Sequence, residues 1–145
     1  LQLKSDEKIV VSSLHWHTKS NLHGEPDKSG MHHESSILKQ GKKLSSSHQC
    51  PWIWLHHEPP NHTRISEDTW SEQNNKIHQQ VENYQPDVLC SGHEHSAPFL
   101  PNGSYFDRIG KTLCLNPGHR AGASKPCSIT LDCAGNKFTH KHNQV

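Results

Sequence analysis

The sequence predicts an α/β domain, a mixed β-sheet with flanking helices. Three features carry that expectation. Short runs rich in β-branched and aromatic residues recur along the chain. Two stretches with apolar residues near helical spacing separate the first three of those runs, and the last third consists of strand-like runs that meet at glycines. Strands that alternate with helices and then give way to further strands point to one mixed sheet with helices on a face.

Lys8-Ile-Val-Val-Ser-Ser-Leu-His-Trp fits a first strand, after which Thr18 to Gly30 turns polar and is broken by Gly24, Pro26 and Gly30. Ser35 to Leu44 carries Ile37, Leu38 and Leu44, a thin helical stripe closed by Ser45-Ser-Ser and Pro51. Residues 18–48 otherwise read as a polar loop, open to partial disorder and with no assigned role. Pro51-Trp-Ile-Trp-Leu, bounded by Pro59-Pro60, is a continuous apolar run suited to a strand buried on both faces. Trp70, Ile77, Val81 and Tyr84 then lie near helical spacing until Gln85-Pro86 stops them. Pro86-Asp-Val-Leu-Cys-Ser-Gly supplies another strand. Ser104-Tyr-Phe-Asp-Arg-Ile and Lys111-Thr-Leu-Cys-Leu-Asn meet at Gly110 as a hairpin, and Cys127-Ser-Ile-Thr-Leu-Asp with Lys137-Phe-Thr-His forms a last pair around Ala134-Gly135-Asn136. Trp52, Trp54 and Trp70 are expected in the core, with Asp87 and Asn116 fixing turns.

Of the 145 residues, 30% are hydrophobic and 20% charged. Adding the nine glycines gives an apolar share of about 36%, against roughly 45–50% in ordinary domains, so the core is thin. A formal net charge of +1 excludes a strongly basic nucleic-acid binder and a polyacidic tail. No apolar run approaches the roughly 18 residues of a membrane helix. Leu1-Gln-Leu-Lys-Ser-Asp-Glu lacks a basic flank, an apolar stretch and a cleavage site, so the expected compartment is the cytoplasm and no membrane partner is expected. The chain opens on Leu1 and its single methionine is Met31, which makes residues 1–145 one domain that is expected to be incomplete. Cys50, Cys90, Cys114, Cys127 and Cys133 are odd in number and show no Cys-x-x-Cys, so reduced thiols in strands are expected. Asn61-His-Thr and Asn102-Gly-Ser match the glycosylation pattern and read as turns in an unsecreted chain.

The compositional outlier is histidine, with 15 residues spread from His15 to His142. Two clusters stand where strand patterns run out, the position at which α/β folds gather functional groups. They are His56-His57-Glu58-Pro59-Pro60 and Gly92-His93-Glu94-His95. In an extended segment, residues two apart point the same way, so His93 and His95 are expected to address one site while Glu94 points elsewhere. Neutral imidazole is a borderline ligand for Zn, Mn, Fe or Ni, and two-metal centres are a recurring solution for phosphoryl hydrolysis. A lone His-x-His is weak evidence in such a chain, because His15-Trp-His17 is another and His32-His33 a further pair.

Context adds specificity. Pro86-Asp-Val-Leu-Cys-Ser-Gly-His-Glu-His-Ser-Ala-Pro-Phe, followed by Leu113-Cys-Leu-Asn-Pro-Gly, resembles the calcineurin-like metallophosphoesterase superfamily. The C-terminal half of that family carries, in order, an HHPP-like segment after a strand, a helix, a GHxH strand end, a hairpin and an NPG turn, and the likeness covers about Trp52 to Asp132. Within it, Trp52-Ile-Trp-Leu-His-His-Glu-Pro-Pro and Gly103-Ser-Tyr-Phe-Asp-Arg-Ile-Gly-Lys-Thr look like a bacterial-type branch. The resemblance implies the C-terminal half of a four-layer αββα fold and two divalent metal ions. It also implies hydrolysis of a phosphomonoester or phosphodiester by a metal-activated hydroxide. His56 and His93 would then hold one ion and His95 the other, with His57 as the alternative to His56. Arg108 and Arg120 are the candidate phosphate donors.

The chain departs from the family in what it omits. No Asp-x-His, Gly-Asp or Gly-Asn-His occurs in residues 1–145, so the bridging aspartate and the catalytic acid are not in this chain. The expected partner is therefore the N-terminal half or a complementary chain, and the isolated chain is expected to be inactive. Glu58 also interrupts His-His-Pro-Pro, and His119-Arg120 follows Asn-Pro-Gly where serine is frequent. Two readings from other classes stand beside this one: a noncatalytic, His-rich metal-binding module and a degenerate structural remnant.

Overall fold

The computed structural model describes residues 8–13, 28–67, 72–134 and 137–143. Its elements run β1 (Val10–Ser13), α1 (Lys28–His48), β2 (Trp52–Leu55), α2 (Glu72–Tyr84), β3 (Val88–Cys90), a 3-10 turn (Ala97–Phe99), β4 (Phe106–Ile109), β5 (Thr112–Leu115), β6 (Ser128–Ala134) and β7 (Lys137–Asn143). Five strands form one sheet in the order β1-β2-β3-β5-β4, and β6 and β7 pair separately. β1, β2, β3 and β5 are parallel, while β4 returns antiparallel along β5. The α/β class with a mixed sheet and two helices is thus what the described residues form.

Alternation along the strands sorts the apolar residues onto two faces. Trp52, Trp54, Leu89, Ile109 and Cys114 meet Leu38 of α1, Ile77 and Val81 of α2, and Ile65. The opposite face, with Ile53, Val88, Leu113 and Leu115, is packed by Ile129, Leu131 and Phe138 of the β6–β7 hairpin. Each large apolar side chain removed from water in this way contributes on the order of 2 kcal/mol. The hairpin does not cover the whole face, and Val11 and Leu55 stay 53% and 41% exposed.

Both Trp52 and Trp54 are buried, whereas Trp70 falls outside the described residues. The α1 helix begins at Lys28, upstream of the stripe that starts at Ser35, so residues 28–48 correct the reading of residues 18–48 as a loop. Gly30 lies inside the helix rather than ending a loop. Tertiary contact overrides weak propensity here. Gly41 brings α1 so close to the sheet that a Cβ would stand 2.6 Å from Ser12 Oγ and 2.8 Å from the Trp52 ring.

At the start of the parallel strands, Gln85 closes α2. Its side-chain amide donates to the Val81 and Ile109 carbonyls and its Oε1 accepts from Lys111 N–H at 2.8 Å. Asp87 accepts from Trp52 N–H at 2.9 Å across the sheet, a longer reach than the local turn contact expected of it. All five cysteines are free thiols. Burial pushes Cys114 up to about 12 and Cys90 up to about 11. Among the described residues, no helix is long and apolar enough to cross a membrane.

Candidate metal centre

Parallel strands end together, so the loops after β2, β3 and β5 converge on one edge of the sheet. These loops begin with His56, Ser91 and Asn116. Main-chain bonds tie them together. His56 N–H donates to the Cys90 carbonyl and Gly92 N–H to the His57 carbonyl, each at 3.0 Å, and Ser91 N–H donates to the Leu115 carbonyl at 2.8 Å.

An imidazole contact joins the first two loops. His57 Nε2 and His93 Nδ1 lie 2.9 Å apart, with ring centroids at 4.7 Å and both residues exposed. Two nitrogens on one tetrahedral ion, each bonded at 2.0–2.1 Å, stand about 3.4 Å apart, so a small ring rotation opens this pair to a metal. His56 instead is buried, edge-on to Trp54. Its Nδ1 lies 2.9 Å from the Glu58 carbonyl and 3.1 Å from the Glu58 nitrogen. A ring whose Nδ1 is held by backbone presents Nε2 as its ligating nitrogen.

His95 takes a different partner. Its ring lies against that of His119, centroids 5.8 Å apart and steeply inclined at 80°. The segment is not extended, since His93 has φ +61°, so strand alternation does not set where His93 and His95 point. A histidine in the left-handed region carries about 1 kcal/mol or more of backbone strain, and such strain concentrates at functional sites. Glu94 stands between them. It is buried and accepts the Glu67 N–H, while Glu67 in turn accepts Ser96 N–H at 2.9 Å.

Arg120 stands at the histidine edge with its guanidinium 5.5 Å from the centre of the Phe99 ring. Arg108 does not. The hairpin turns at Gly110 and Lys111, so Arg108 lies opposite Leu113 and donates to the Lys111 carbonyl at 3.1 Å, toward the strand starts. The structure therefore does not bring Arg108 to the histidines.

His119 is the site residue that sequence reasoning left out. The signal was His119-Arg120 after Asn-Pro-Gly, noted in the sequence only as a departure from the resembled pattern. At this edge the donors form two imidazole pairs, His57–His93 and His95–His119, and among the described residues no three His, Cys, Asp or Glu side chains form a metal-holding group. Borderline nitrogen donors on exposed loops fit a first-row divalent ion in chemistry, two ligands at a time. No protein-family model, curated protein or solved structure matches the chain.

Proposed function

We propose that the chain is the C-terminal half of a calcineurin-like metallophosphoesterase, supplying imidazole ligands to a dinuclear metal centre. The observation that carries this reading is the 2.9 Å approach of His57 to His93, from the HHEPP and GHEH segments, at the ends of adjacent parallel strands. That contact favours His57 over His56 as the ring that joins His93, with His95 held for the second ion. Two bound divalent ions of the Mn, Zn, Fe or Ni group would supply an activated hydroxide and neutralise charge on phosphorus. The chain's own residues position the ligand loops, and Arg120 stands near enough to the edge to meet a phosphate.

The sheet also supports a four-layer reading. Among the described residues, a two-stranded hairpin covers the face opposite the helices and leaves Val11 on β1 and Leu55 on β2 exposed. A second sheet contributed by the N-terminal half is the occupant this reading calls for there. The phosphoester substrate needs that half too, because the bridging aspartate and the acid would lie on it.

The test is metal binding by equilibrium dialysis against Zn2+ and Mn2+. His93→Ala and His95→Ala should each weaken the tightest sites at least tenfold, whereas a diffuse sponge of 15 histidines would scarcely respond. Residues 1–145 supplied with Mn2+ or Zn2+ should hydrolyse para-nitrophenyl phosphate negligibly. Turnover in the ordinary enzyme range, about 1–1000 per second, would show that the chain holds its own bridging group and acid. Fifteen histidines spread along the sequence favour the second reading, a noncatalytic metal-binding module. Retained tight binding in both variants would select it.

A further inference from the structure

The turn after β5 is built to press one more imidazole against His95. Asn116 is fully buried, and its Nδ2 donates to the Ile65 and Glu94 carbonyls at 2.9 Å each. Its Oδ1 accepts from Gly118 N–H at 3.0 Å, which fixes the turn. Gly118 has φ +65°, and a Cβ there would stand 2.8 Å from the His95 carbonyl oxygen and 2.7 Å from the Pro98 ring. Only glycine allows that approach. The next amide, His119 N–H, donates to the same His95 carbonyl at 2.8 Å. Both rings are thus carried on main chain that is already fixed, and the neighbouring cation of Arg120 is turned onto Phe99.

We propose that His95 and His119 form a two-imidazole chelate for a first-row divalent cation, making His119 the second protein ligand of the ion that His95 holds. Two imidazoles bound at 2.0–2.1 Å to one tetrahedral ion have centroids about 5 Å apart, so the present 5.8 Å separation closes by a small rotation of either ring. Imidazole nitrogens rank such ions in the order that peaks at copper, with nickel and zinc next. The inference deepens the metal-centre reading above and shares His95 with it, but it draws on the turn after β5 rather than on the His57–His93 contact.

The experiment titrates the full chain with Zn2+ against a chromophoric chelator and records the Cu2+ electron paramagnetic resonance spectrum for nitrogen couplings. Variants are His119→Ala, His119→Gln, His95→Ala, the double His95→Ala/His119→Ala, and His93→Ala. The clamp to the His95 carbonyl runs through a peptide N–H, so both His119 variants keep it, and circular dichroism checks that the fold is retained. The expected result is a loss of at least tenfold in affinity for one ion in each His119 variant, equal to the loss in His95→Ala. The double variant should lose less affinity than the two single losses combined, and one coupled nitrogen should vanish from the Cu2+ spectrum of each single variant. Wild-type affinity in both His119 variants, with binding weakened in His95→Ala and His93→Ala, would overturn the chelate and leave the phosphoesterase reading standing. Losses that add in the double variant would also overturn it. Weakened binding in the His95 and His119 variants with none in His93→Ala would uphold the chelate and count against the dinuclear centre.

Discussion

Where β3 and β5 begin, side chains close the sheet: Gln85 accepts Lys111 N–H, Asp87 accepts Trp52 N–H, and Thr112 Oγ1 donates to the Pro86 carbonyl at 2.7 Å. Where the same strands finish, peptide groups do most of that work, in the bonds from His56, Gly92, Ser91 and His119. The difference separates folding from chemistry. Side chains at the first end are committed to closing turns, so their identities are fixed by stability. At the second end His95 and His119 are tied through a carbonyl and an amide, so the identity of these rings is decoupled from closure of the sheet, whereas the His56 ring is itself bonded to the Glu58 backbone. Asn116, a buried amide that joins three loop segments, is an exception there, as are the Glu94 and Glu67 carboxylates.

The contrast breaks if the two ends respond alike to truncation. Asp87→Ala leaves the Trp52 amide without its carboxylate, a charge-assisted bond, and should cost about 2 kcal/mol in urea unfolding. His95→Ala, at the other end, should stay within about 0.5 kcal/mol of wild type. Equal losses would show that the imidazoles are structural after all. A smaller effect of opposite sign is expected at His93. Replacing it by glycine relieves the left-handed backbone and should raise stability by about 1 kcal/mol while lowering metal affinity at least tenfold. Lower stability in His93→Gly would mean that the ring itself holds the loop.

The smallest effect is expected on the inner face of the β6–β7 hairpin. His140 packs 4.6 Å from the Phe106 ring centre and 5.6 Å from that of Tyr105, and His142 stacks on Tyr105 at 4.5 Å. Burial, and then the charge of Arg108, lower the His140 pKa from its ordinary 6.5. The folded chain therefore binds fewer protons than the unfolded chain. Its stability should hold above about pH 6.5 and fall as pH drops through the lowered folded value. Urea midpoints between pH 7.5 and 5 measure this, and His140→Phe should flatten the profile. A profile unchanged by that variant would show that His140 does not couple to unfolding.

Much of this was legible in the letters. The Trp52-Ile-Trp-Leu run marked a buried strand because it is apolar without alternation, and Gly110 marked the β4–β5 turn because only a tight reversal needs it there. The extent of α1 was not legible, since its sequence is polar and holds Gly30 and Gly41. The helix owes its place to Leu38 and to the close approach at Trp52. The placement of the histidine clusters at strand ends could be read from where apolar runs stop. Their pairing could not, because it turns on one dihedral angle at His93 and on a glycine-borne contact between segments that lie far apart in the chain.

Cys114, at the middle of β5, has a consequence of another kind. Its thiol is wholly shielded and raised to about 12, so at neutral pH it is neither a nucleophile nor reachable by an alkylating reagent. Mass tagging of this sulfur will count only molecules whose sheet has opened. The protein thus contains its own clock for rare excursions out of the native state, readable without any engineered reporter.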